Sequence, residues 1–62
     1  MVLKEAINKY SSKKKIILNT NTCDVFYCKP NKISSQIKRL LNQEVIDCET
    51  SNYDDWVEIW IK

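Results

Sequence analysis

Trp56-Val57-Glu58-Ile59-Trp60-Ile61-Lys62 is the stretch on which the reading of this chain turns. In an extended backbone successive side chains point to opposite faces. Val57, Ile59 and Ile61 therefore share one side, and Trp56, Glu58, Trp60 and Lys62 share the other. The first set is purely aliphatic and belongs over a core. The second mixes charges with two indoles and belongs toward water or a partner. This period of two, with one greasy side and one mixed side, predicts a strand in a sheet covered on a single face.

Working outward from it, Ser51 to Asp55 is polar and reads as a turn, preceded by a third strand at Val45-Ile46-Asp47-Cys48. The same alternation turns Ile46 and Cys48 inward and Val45, Asp47 and Glu49 outward. Upstream, Ile33, Ile37, Leu40 and Leu41 recur at helical spacing behind Pro30-Asn31, with Asn31 the expected N-cap. Val25-Phe26-Tyr27-Cys28 and Ile16-Ile17-Leu18 read as a hairpin across the turn formers of Asn19 to Asp24. Val2, Leu3, Ala6, Ile7 and Tyr10 line one side of an opening helix.

The element order is α-β-β-α-β-β. It predicts a single α+β domain over residues 1–62, a two-layer sandwich with a four-stranded antiparallel sheet and two helices on one face. An offset of 34 residues brings the halves into partial register as αββ units at 1–29 and 30–62, a match that duplication and the mimicry of amphipathic elements both produce. In that register Asp24-Val25-Phe26-Tyr27 falls on Glu58-Ile59-Trp60-Ile61, which turns Phe26 to the Trp60 side.

Composition narrows the chemistry. The 62 residues are 44% hydrophobic and 29% charged, a globular balance, with no histidine and no glycine. Gly-rich phosphate loops, GxSxG elbows and imidazole-based acids, bases or metal sites are thereby excluded. Cys23, Cys28 and Cys48 are an odd number, a poor disulfide framework, and without histidine or a second close pair a poor zinc set. They read as reduced structural thiols, with Lys29 beside Cys28 expected to lower that thiol slightly. Asp54, Asp55 and Glu58 read as solvated acids. No cofactor, no metal and no catalysis are expected.

No apolar run approaches the roughly 20 residues that span a bilayer, and Lys4, Glu5 and Lys9 interrupt the amphipathic start, so no membrane and a cytoplasmic setting are expected. A domain this small buries only about 60% of its unfolded surface, so a partner or a second copy is an attractive way to hide more.

Charge is lopsided. Residues 1–41 carry nine lysines and arginines against two acids, a balance of +7, whereas residues 42–62 carry one lysine against six acids, a balance of −5. The uncovered sheet face should therefore present Trp56, Trp60 and Phe26 among Asp47, Glu49 and Glu58, an aromatic patch edged by acids. Such a patch suits a larger protein with a basic surface, as on proteins that handle nucleic acid, and points to a small regulator or inhibitor acting by occlusion. A homodimer through the same face is the other protein-binding expectation. The Lys/Asn/Ile-rich, glycine-free composition has the general character of small phage and mobile-element accessory proteins. The alternative is a nucleic-acid-binding module that tracks phosphates with Lys13, Lys14, Lys15, Lys32 and Arg39.

Overall fold

A computed structural model describes residues 1–51, 53 and 55–62. Asp54, one of the acids weighed above, lies outside the described residues, as does Asn52 of the same expected turn.

The chain builds α1 (Leu3–Lys9), β1 (Lys15–Asn19), β2 (Val25–Cys28), α2 (Ser35–Lys38), β3 (Val45–Ser51) and β4 (Trp56–Ile61). The described residues form an α+β arrangement of two helices and one four-stranded sheet, in the order β2-β1-β4-β3. The sheet is mixed. β1 pairs antiparallel with β2 and β3 antiparallel with β4, but the central pair β1–β4 is parallel, which corrects the all-antiparallel expectation. Each hairpin closes locally; between them the chain returns through α2, a crossover that lets β4 enter beside β1 in the same direction.

Alternation organises the core. Ile16 and Leu18 of β1 are Cα partners of Val57 and Ile59 of β4, and with Ile61 all are buried. Leu3, Ala6 and Ile7 of α1 and Ile37 of α2 join the same buried cluster. The first free amides of α1 are satisfied across the fold, since Leu3 N–H donates to the Gln43 carbonyl and Lys4 N–H to that of Leu41, both at 2.9 Å. The Glu5 carboxylate reaches back and accepts from Val2 N–H at 3.1 Å.

The second helix is shorter than its stripe. Ser34, not Asn31, caps it, its Oγ accepting from Ile37 N–H at 3.4 Å. Pro30 and Asn31 instead occupy the middle of a tight turn in which Lys32 N–H donates to the Lys29 carbonyl at 3.0 Å. Proline's fixed φ suits the second position of such a turn. Beyond Lys38 the chain continues in tight turns, with Leu40 N–H bonded to Ile37 O and Gln43 N–H to Leu40 O. Ile33, Leu40 and Leu41 still pack against the core, so the stripe records burial more than helix length.

Three side chains face opposite to expectation. A bulge between Val45 and Asp47 turns Val45 onto the core and leaves Ile46 63% exposed, because one extra residue shifts the alternation. Phe26 is the Cα partner of Leu18 and packs against the core, so it lies on the side opposite Trp60. Among the described residues two take the left-handed region without glycine, Cys23 at φ 66° and Asp55 at φ 55°. Cys23 sits in a β1–β2 turn held by Thr20, whose Oγ1 accepts from Asp24 N–H at 3.2 Å. Among the described residues no helix is long and apolar enough to cross a membrane.

Candidate functional site

The side chains alternating with the core set fall in three rows across the other face. The pairing register gives Val25–Asn19–Trp60–Asp47, then Tyr27–Ile17–Glu58–Glu49, then Lys15–Trp56–Ser51. Trp56 and Trp60 are partly exposed, and neither belongs to the buried cluster or to the apolar residues packed against it. Tyr27 and Val25 are exposed. The result is an aromatic and aliphatic band over β1, β2 and β4, bordered by acids on β3.

Electrostatics divide this face. Glu49 and Glu58 are directly opposed across β3 and β4, an arrangement of like charges that disfavours the pair. Asn19 Nδ2 donates to Glu58 Oε2 at 2.9 Å and orients that carboxylate. Among the described residues, no ion pair neutralises Asp47, Glu49 or Glu58. Asp47 Oδ1 accepts from Cys48 N–H at 2.8 Å, so its side chain is folded against its own strand.

The lysines converge at the other corner. Lys13, Lys14 and Lys15 lead into β1, and the Lys29–Lys32 turn follows β2, so the β1–β2 hairpin brings the two groups to one end of the sheet. Lys14, Lys15, Lys29 and Lys32 line a cleft of about 440 Å³ with Tyr27 and Cys28. Lys13, Lys14 and Lys29 line a second of about 430 Å³ with Pro30. Lys15 Nζ stands 5.7 Å from the centre of the Tyr27 ring, within cation–π range. Lys13 Nζ donates to the Ser51 carbonyl at 3.3 Å. Arg39 is not part of this group. It lines a separate cleft of about 360 Å³ with Thr20, Thr22 and Asp24, at the far end of β1.

The expected acidic trio and both tryptophans thus share one face, whereas Phe26 leaves the patch for the core. Tyr27 and Lys29 take places that sequence reading did not give them. The clue for Tyr27 was chemical: of two adjacent aromatics on an edge strand, the one with a hydroxyl is better suited to face water.

The thiols are free, Cys23 exposed and the other two partly buried. Burial pushes the Cys28 thiol above its ordinary pKa, so the expected lowering by Lys29 is overridden. Burial also raises Cys48, with Asp47 adding to the rise and Lys9 opposing it. Thiols held protonated are poor nucleophiles. Among the described residues no group of three or more cysteines, aspartates or glutamates is placed to hold a metal ion.

Comparison with protein-family models, with curated proteins and with solved structures finds no match for this chain.

Proposed function

We propose that this chain is a small non-enzymatic interaction protein that docks a larger partner on the sheet face carrying Trp56 and Trp60. In this reading both helices lie on the opposite side of the sheet and leave the docking face open. The partner presents a basic surface, and the chain acts as a stoichiometric regulator by occluding it. One observation carries the proposal: the strand that buries Val57, Ile59 and Ile61 holds both indoles on the other side, beside three acids with which no cation pairs among the described residues. Indoles supply large apolar area and are enriched among the residues that dominate binding energy. The opposed Glu49 and Glu58 gain from an incoming lysine or arginine, which would relieve their repulsion.

The test is affinity capture from nuclease-treated lysate with the native chain, Trp60→Ala and Asp47→Lys, combined with sedimentation of the purified chain. The expected result is a basic protein retained by the native chain and lost with both variants. Equal retention by Trp60→Ala overturns the reading. A dimer that Trp60→Ala dissociates makes a second copy the occupant of the face and overturns the heterologous partner.

A further inference from the structure

We infer that the lysine corner is a second, separate binding site, for a single-stranded nucleic acid whose backbone lies in the Lys-lined trough and whose base stacks on Tyr27. The two clefts at this corner adjoin, with Lys14 and Lys29 in the lining of both. Lys13, Lys14, Lys15, Lys29 and Lys32 border them, and among the described residues no acidic side chain lines either cleft. The Lys29–Pro30–Asn31–Lys32 turn sets two of them side by side, an arrangement of like charges that an anion would relieve.

The aromatic ring decides which anion fits. Tyr27 is 67% exposed at the rim of the trough, and Lys15 stands over its ring. A duplex keeps its bases stacked inside and offers this corner only phosphates. A single strand offers phosphates to the lysines and an unstacked base to the tyrosine. The acids of β3 and β4 repel phosphate and confine the strand to the β1–β2 side of the sheet. Lys15 and Tyr27 share the sheet face of Trp56 and Trp60, but the residues that test this site, Lys14, Lys29 and Tyr27, are not those that test the docking reading, so the two fail independently.

The experiment is fluorescence anisotropy of the full chain with a labelled twelve-nucleotide thymidine strand, against a duplex of equal length and polyglutamate, over about 20 to 200 mM salt. The expected result is preference for the single strand, with log affinity falling linearly in log salt by about 0.7 for each phosphate contacted. Lys14→Gln with Lys29→Gln should flatten that slope by about 1.4. Tyr27→Ala should weaken single-strand binding at least about fivefold with the slope unchanged, and Tyr27→Phe should keep it. No binding at low salt, indifference to Tyr27→Ala, or equal affinity for the duplex or polyglutamate each overturns the inference.

Discussion

β4 presents two regions that differ by one peptide unit in position and by everything in environment. Val57, Ile59 and Ile61 are buried, the first two in register with Ile16 and Leu18 and the third with Val45. Trp56, Glu58 and Trp60 are partly exposed, in register with Lys15, Ile17 and Asn19 on one side and with Ser51, Glu49 and Asp47 on the other. The inner row is uniform and aliphatic, which is what close packing rewards. The outer row sets like charges opposite one another and leaves aromatic surface to water, neither of which serves the isolated chain. The contrast shows which face is built for the fold and which has chemistry to spare.

The largest expected effect comes from exchanging the two rows' roles by truncation. Ile59→Ala removes a fully buried side chain from the middle of the core and should destabilise by about 2–5 kcal/mol. That is a large share of the total for so short a chain. Trp60→Ala deletes a bigger side chain but from the partly exposed outer row, and should cost about 1 kcal/mol or less. Urea unfolding of both variants reads the difference. Equal costs would mean that both faces are packed as core, and the distinction between them would collapse.

That distinction was largely legible in the sequence because it depends on local alternation. β4 shows unbroken alternation over its whole length, so the fate of each side chain follows from its neighbours alone. The places that misread are those where a non-local feature intervenes. Ile46 and Val45 exchange faces through a bulge, which follows from how β3 meets β4 and not from composition. The register between the two halves turns Phe26 outward, whereas its face is set by pairing with Leu18. The parallel β1–β4 pairing was hidden for the same reason: pattern identifies strands but does not say which ones lie side by side. The lysine corner was visible only as charge, since the runs at 13–15 and 29–32 become neighbours once the hairpin closes.

A sharper test of the comparison asks whether the outer row is tuned for the chain's own stability. Glu49→Lys places a cation directly opposite Glu58 and replaces repulsion with attraction. It should stabilise the isolated chain by about 0.2–1 kcal/mol, read from the urea midpoint. The same variant should bind the proposed basic partner more weakly than the native chain. A gain in stability with a loss of binding means that the acids are kept at a cost to the fold, as expected for a functional face. If Glu49→Lys is destabilising, Glu49 has a structural role, and the claim that the outer row spares chemistry fails at that position.

The smallest effect belongs to the inner face. Cys28 and Cys48 are Cα partners of Ile16 and Ile59 and pack against the core. Burial raises both thiols above their ordinary pKa. Below the ordinary thiol range, around pH 8.5, both the folded and the unfolded chain hold these protons, and stability is independent of the thiols. Above it the unfolded chain releases them first while the folded chain retains them. The folded state then binds more protons, so stability falls as pH rises. Urea midpoints at about pH 7.5 and 9.5 should show this decline, and Cys28→Ala with Cys48→Ala should reduce it. A decline that survives removal of both inner thiols would assign the alkaline sensitivity to other groups, and the inner row would then be electrostatically silent as well as apolar.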